Sequence, residues 1–423
     1  MSAATATERR SRLPSWLLGT GVIALAMAVM NLTTYGFTIL AARVLGPAEY
    51  GALAAVMGLL LVVNVVSLGL QATGARRVSA SPEDTPQLED EVLSATYRSA
   101  LVLGLVTLVA TPVITATLNL DSWVAGAMVA VTAVPLTVMG GQAGILQGER
   151  RWFPLAAIYL CVGLGRIVFG GIALVVEPDT LGAMLGVAVG AVIPVGVGWW
   201  ALRHPRRVST LPARAPRSTP PGWARGGVLR ETMHNSHALL AFFALSNADV
   251  IIARSTLDEH QAGLYAGGLI LAKAVLFLPQ FVVVIAFPSM SQQGGARRMQ
   301  LLSLGMVLAI GAATVLGTAV LSGLAVTFIG GPEYADLQDR LWLFAALGTL
   351  LALLQLMIYN VVARQHQRTV YVVWVALLVL VAAAPVLGSL DRLLGLVITV
   401  DTLLFVVLLA ASLWRRTPQI DAG

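Results

Sequence analysis

Ala42-Arg43-Val44-Leu45-Gly46-Pro47-Ala48-Glu49-Tyr50-Gly51 is a short charged island between two long apolar tracts. Gly46-Pro47 marks it as a reversal, because proline removes a backbone donor and fixes φ while glycine permits the turn. A related stretch comes back at the start of the second half: Ala253-Arg254, then Asp258-Glu259-His260-Gln261-Ala262-Gly263-Leu264-Tyr265-Ala266. Arg43 and Arg254 are 211 positions apart, and Gly51 and Gly263 are 212 apart, in a chain of 423 residues. Such an offset predicts a doubled architecture, a common plan among transporters.

The tracts on either side set the fold class. Apolar residues make up 57% of the chain, charged residues only 11%, and the mean hydropathy is +0.82. A soluble domain carries about 25% charged residues. Apolar runs of about 20 residues recur, each long enough to cross a hydrocarbon core of about 30 Å. A β-barrel would instead alternate with period two over spans of about 10 residues. The expectation is an all-α polytopic membrane protein of twelve transmembrane helices, in two six-helix bundles around a central cavity.

The spans are expected near 16–42, 50–74, 85–118, 123–147, 153–176 and 179–202, then 233–255, 261–290, 299–329, 338–363, 369–388 and 393–414. These are helices 1 to 12. A tail at 1–14 precedes an N-terminal bundle at 15–202. A basic linker at 203–230 leads to a C-terminal bundle at 231–414 and a tail at 415–423. Thr85-Pro86 reads as a cap and first helical residue opening helix 3. The N-terminus does not read as a cleaved signal peptide, because its apolar stretch is long enough to remain as helix 1.

Charge placement orients the spans. With the N-terminus inside, the inner segments hold 20 arginines, seven of them in the linker, and the outer loops hold four. The outer loops also collect ten acids, from Glu49 to Asp391. That asymmetry predicts both termini on the cytoplasmic side of the membrane. The basic linker then lies on anionic lipid rather than on nucleic acid.

Several chemistries have no residues to carry them. The single lysine, Lys273, is not part of any Gly-Lys-Ser/Thr, so a Walker A loop is absent. There is no Ser-His-Asp set and no HExxH; His234 and His237 are the one histidine pair at helical spacing. The lone Cys161 lies in an apolar run and reads as a small packed residue. No enzyme, metal or cofactor is called for.

Ionisable groups at membrane depth are costly and mark functional candidates. Arg98 lies near a helix end and can snorkel. Arg166 on helix 5 and Lys273 on helix 8 fall near mid-bilayer, Asp249 in the outer half of helix 7, and Asp401 on helix 12. Two readings stay open. The four charges form structural ion pairs, or the cations face an anionic headgroup while the carboxylates hold a coupling H+ or Na+. Polar residues extend the second reading. Asn31, Thr34, Tyr35 and Thr38 share a face of helix 1, and Asn64, Ser67 and Gln71 a face of helix 2. Gln280 follows Lys273 on helix 8. Substrate-binding candidates are thus Arg166, Lys273, Asn31, Tyr35, Asn64, Gln71 and Gln280, with Asp249 and Asp401 as ion-coupling candidates. Arg43, Glu49, Arg254 and Glu259 are candidates for an outer gate. A Gly182, Gly186, Gly190 stripe on helix 6 is expected to pack inside the bundle.

Arg43 to Gly51, then Ser67-Leu68-Gly69-Leu70 and Arg76-Arg77, resembles the start of the polysaccharide flippases of the multidrug/oligosaccharidyl-lipid/polysaccharide exporter superfamily. Ala262 to Ala266, Phe287-Pro288-Ser289-Met290-Ser291 and Gly330-Gly331-Pro332-Glu333-Tyr334 extend the resemblance over most of the chain. It implies a lipid-linked oligosaccharide flippase, moving a polyprenyl-diphosphate-linked sugar for cell-surface polysaccharide assembly. Partners would be the lipid-linked glycan, membrane lipid, an H+ or Na+ ion, and polymerase or glycosyltransferases of the same route. Relatives in the lipid II branch hold a cation between helices 7, 11 and 12, which here implicates Asp249, Asp401 and Thr402. Helix 11 carries no acid, and the relatives' usual fourteen spans exceed the twelve here, favouring the polysaccharide branch. An ion-coupled multidrug antiporter of the same fold, or a non-transporting scaffold, would share much of this pattern.

Overall fold

A computed structural model describes residues 15–81, 85–204, 228–277, 296–363, 367–386 and 388–414. The two tails, most of the linker, Gln280 and Phe287 to Ser291 lie outside them. The first helical tract, Ser15–Val63, is two helices joined at Gly46, whose φ of 68° is a left-handed conformation that glycine tolerates. Helix 1 is therefore 15–45. Helix 2 is 47–63 and continues past Asn64 as Val65–Ala80. Helix 3 is Thr85–Val109 with Thr111–Thr117, helix 4 Trp123–Gly148, helix 5 Trp152–Val176 and helix 6 Thr180–Arg203. Helix 7 is Val228–Thr256 and helix 8 Glu259–Phe277. Helix 9 is Ala296–Val320 with Ser322–Ile329, followed by a 3-10 turn, Pro332–Arg340. Helices 10, 11 and 12 are Leu341–Ala363, Gln367–Ala383 and Leu390–Trp414.

Each of the twelve expected spans has a helix over its described residues. Among the described residues nine tracts are long and apolar enough to cross a bilayer, and the 60-residue tract Gly21–Ala80 holds both helix 1 and helix 2. Helices satisfy every backbone polar group internally, which a spanning segment requires. Capping sets several boundaries. Ser122 accepts from Val124 N at 3.1 Å at the start of helix 4, and Asp179 accepts from Gly182 N at 2.6 Å at the start of helix 6.

The doubling is visible in the backbone. Helix 3 is interrupted at Ala110 and helix 9 at Leu321, again 211 positions apart. Each bundle is held by close approach of small residues, because lipid offers no hydrophobic drive for helix association. On helix 6, a Cβ on Gly186 would lie 2.6 Å from Gly170 Cα, and one on Gly190 would lie 2.7 Å from the Gly165 carbonyl. The glycine stripe therefore packs on helix 5, inside the bundle as expected.

The bundles meet through helices 1 and 2 on one side and helices 7 and 8 on the other. Helix 2 runs along helix 7, with Gly58 against Asn247 and Val250 and Gly69 against Ser236. Tyr35 on helix 1 donates from its hydroxyl to the Ile270 carbonyl on helix 8 at 2.9 Å. At the elbow the quasi-equivalent glycines touch: a Cβ on Gly51 would sit 2.9 Å from Gly263 Cα, and one on Gly263 only 1.9 Å from Pro47 O. The end of the molecule that carries the two elbows is thus closed backbone to backbone.

Candidate functional site

Two arginines bridge the bundles at the elbow end. Arg254, at the end of helix 7, is 4% exposed. Its Nε donates to Leu118 O at 2.9 Å and its NH2 to Asn119 O at 2.9 Å, both at the end of helix 3 in the opposite bundle. NH1 reaches Ala48 O at 3.5 Å, and Glu259 supplies a carboxylate at 3.3 Å. Asn119 returns the contact, donating from Nδ2 to Arg254 O at 3.2 Å from a left-handed φ of 45° that asparagine accepts. Arg43, the counterpart at the end of helix 1, is exposed and donates from NH2 to Thr327 O, at the end of helix 9, at 2.7 Å. Each arginine therefore grips the end of the third helix of the other bundle. Carbonyls at helix ends are short of intrahelical donors, which makes them natural acceptors.

Glu259 pairs with Arg254, whereas Glu49 turns away from Arg43. Its Oε2 accepts from Thr180 N at 2.9 Å and from Thr180 Oγ1 at 2.6 Å, holding the first turn of helix 6. An acid at a helix N-terminus is favoured there by the unpaired N–H groups. Tyr334 reinforces the closure, donating to Ala42 O at 3.3 Å.

Deeper in the membrane the charges separate by bundle. In the second, Asp249 is 2% exposed, accepting from Tyr265 Oη at 3.2 Å and from Val250 N at 2.8 Å. Asp401, also 2% exposed, lies within electrostatic reach of Asp249. Lys273 is within reach of Asp249 too, but its Nζ donates to Asn247 Oδ1 at 3.2 Å. Asn247 is fixed in turn by Nδ2 donation to Phe243 O at 2.9 Å. The structure thus brings together Asp249, Asp401 and Lys273, and adds Asn247 and Tyr265. Tyr265 lies on the same helix as Lys273, a little over two turns before it. Thr402 does not join them. It follows Asp401 by about 100° of helical rotation and lines an apolar crevice with Leu308, Thr349 and Ile398.

In the first bundle, Arg166 is half-buried and has no hydrogen-bond or ion-pair partner among the described residues. It is seven residues after Tyr159, on the same face of helix 5. Gln71 on helix 2 donates from Nε2 to Tyr159 Oη at 2.6 Å and to Gln147 Oε1 at 3.0 Å. Asn64 Oδ1, at the break in helix 2, is buried without a partner. Asn31 is half-buried, and Tyr35 is engaged across the bundles. None of the four deep charges forms an ion pair within 4.0 Å among the described residues, although Lys273 and Asp249 interact electrostatically at longer range. His237 accepts from Trp374 Nε1 at 3.0 Å, and no metal-binding cluster occurs among the described residues.

Twelve helices in two bundles that meet at a symmetric pair of elbows, with ionisable groups held at membrane depth, define a multi-pass membrane transporter. Residues 17–294 match the family model described as polysaccharide biosynthesis protein, and the chain belongs to that family of the same exporter superfamily. No curated protein matches by sequence. By structure, the chain is similar to an inward-facing multidrug resistance MATE family transporter, with 14% identity, TM-score 0.68, and coverage of 92% of this chain and 94% of that one. It is similar to a eukaryotic MATE transporter at 16% identity and TM-score 0.58, covering 96% and 97%. A third similar structure is a superfamily transporter from Pyrococcus furiosus at 12% identity and TM-score 0.59, covering 92% and 93%, described as having a binding pocket of reverse polarity that suggests a different function. The family and these neighbours are transporters rather than enzymes.

Proposed function

We propose that this chain is a secondary transporter that flips a polyprenyl-diphosphate-linked oligosaccharide across the bacterial cytoplasmic membrane for cell-surface polysaccharide assembly. The elbow end faces outward and both termini face the cytoplasm, as the arginine asymmetry favours. The observation that carries the reading is Arg166. A guanidinium at membrane depth with no counter-charge among the described residues is suited to an anionic ligand, and a diphosphate matches its forked donors. The Gln71–Tyr159–Gln147 chain beside it offers the hydroxyl and amide groups that sugars use.

The second bundle serves the driving ion. Two carboxylates and one ammonium leave the cluster with a net charge of −1 when all are ionised, which one H+ or Na+ neutralises. The alternating device is the elbow: breaking the Arg43 and Arg254 bridges opens the outer end while the opposite end closes.

Deleting the gene should stop surface glycan assembly and leave the lipid-linked precursor on the cytoplasmic leaflet, read by lipid extraction and mass spectrometry. Normal surface glycan with no accumulated precursor would end the proposal. In the complemented strain, Arg166→Ala should cut flipping by at least about tenfold, the scale of one lost charged hydrogen bond, with Arg166→Lys recovering part of it. Asp249→Asn combined with Asp401→Asn should leave transport insensitive to the ion gradient or abolish it. Unchanged gradient-driven transport by the pair would remove the ion role.

The alternative, a multidrug antiporter, draws on the buried acids of the second bundle and on the MATE neighbours. It predicts drug efflux that does not depend on Arg166.

A further inference from the structure

The two bridging arginines are equivalent in sequence but not in surroundings. Arg254 is sealed, with three carbonyls and Glu259 around it. Arg43 is exposed and holds the single Thr327 carbonyl, so most of its five N–H donors have no protein partner among the described residues.

Arg43 also stands at the mouth of an open crevice of about 570 Å³ that runs along helix 9, where it is the one lining residue from helix 1 among the described residues. Its walls include Gly317, Thr318, Leu321, Leu324 and Phe328. Leu324 is 67% exposed and Phe328 48%, so the crevice opens sideways onto the surrounding lipid rather than into the bundle. From Thr314 to Thr327 it follows 13 residues of helix 9, about 20 Å at the helical rise. That is the length of a substantial part of an acyl chain. The corresponding crevice of the first bundle, lined by Leu108, Thr111, Pro112, Thr115, Asn119 and Trp123, has no charged side chain. Of these two crevices, the one on helix 9 combines an apolar slot with a cation at its mouth.

We propose that this crevice binds an anionic phospholipid of the leaflet on the elbow side, with one acyl chain along helix 9 and the phosphate on Arg43. The choice of occupant follows from charge and shape. The wall is apolar and lipid-facing, the one charge among its described lining residues is positive, and it lies at the end of the spans where phosphates are. The position gives the lipid a consequence. A phosphate on Arg43 competes with Thr327 O for the same guanidinium, and that bond is one of the two bridges closing the elbow end. Anionic lipid thereby loosens one bridge and favours opening, while Arg254, out of reach, keeps the other under the control of the bundles. This sensitivity concerns the closure alone and does not depend on what is transported.

The test uses the full chain in nanodiscs of phosphatidylcholine, with and without phosphatidylglycerol. Native mass spectrometry should find phosphatidylglycerol retained on the wild type. Arg43→Gln should lower retention about tenfold, Arg43→Lys should keep most of it, and Gly317→Trp, which fills the slot but leaves Arg43, should lower it as well. Retention of phosphatidylcholine to the same degree, or retention by Arg43→Gln or Gly317→Trp at the wild-type level, overturns the site. For the closure, spin labels at Val113 and Leu316, both 67% exposed and on opposite bundles, are introduced in a Cys161→Ser background. Phosphatidylglycerol should lengthen their separation in the wild type and leave it unchanged in Arg43→Gln. A wild-type distance indifferent to phosphatidylglycerol overturns the coupling. Because Arg43→Lys keeps the charge and Gly317→Trp keeps the arginine, misfolding of any one variant does not decide the result.

Discussion

Gly263→Val wedges the two bundles apart at the elbow and abolishes transport. The Cβ alone would sit 1.9 Å from Pro47 O and 2.2 Å from its carbonyl carbon, with Gly51 pressed on the same place from the facing helix. These are backbone atoms, so no side chain can swing away to make room. Overpacking of a well-packed contact costs about 1–3 kcal/mol, more where the backbone must move. The cost falls on the closed state alone, because only there do the two elbows touch. At about 1.4 kcal/mol per factor of ten, the closed population falls roughly tenfold to a hundredfold. Distances between labels on the two bundles should lengthen at the elbow end, and Gly263→Ala should show the same shift to a smaller degree. A Gly263→Val protein with unchanged distances and full transport would show that the contact is not part of the cycle.

Arg254→Ala has the second-largest effect, by removing partners rather than adding volume. It leaves Leu118 O and Asn119 O facing a buried void, and each buried unpaired acceptor costs about 1–3 kcal/mol. Arg254→Lys should rescue little, because one ammonium cannot span two carbonyls and Glu259 with the arginine's planar fork. Arg43→Ala should weaken closure less, since its one bond is exposed and water can replace it. Equal loss of closure in the two alanine variants, read from the same label distances, would contradict the difference in burial.

Much of this was legible in the chain because membranes make sequences explicit. A segment that must bury its backbone in lipid becomes a long apolar run, and each of the twelve runs is a helix over its described residues. The Gly46-Pro47 and Gly263 elbows were readable for the same reason, as polar breaks at a fixed offset. Arg254 with Glu259 follows from residues five apart at one helix end, a local contact. Arg166, Asp249, Lys273 and Asp401 could be singled out because charge at such depth is rare.

The contacts of those residues were not legible. Lys273 donates to Asn247 and Asp249 accepts from Tyr265, choices made between helices. Thr402, adjacent to Asp401 in sequence, faces another crevice because neighbouring helical residues diverge by about 100°. Glu49 is six residues from Arg43 in sequence, but its carboxylate accepts from Thr180 in the first turn of helix 6. Both bridging arginines end on main-chain carbonyls, which every residue possesses and no motif announces.

By itself, then, the sequence determined the class of protein, the number of spans and the two-fold plan. These depend on hydrophobicity and on distance along one helix, quantities local to the chain. Only the tertiary structure decided how the deep acids and Lys273 are hydrogen-bonded, that Arg166 has no protein partner among the described residues, and that one elbow arginine is sealed while the other is exposed. Those outcomes depend on how helices distant in sequence pack and turn against one another.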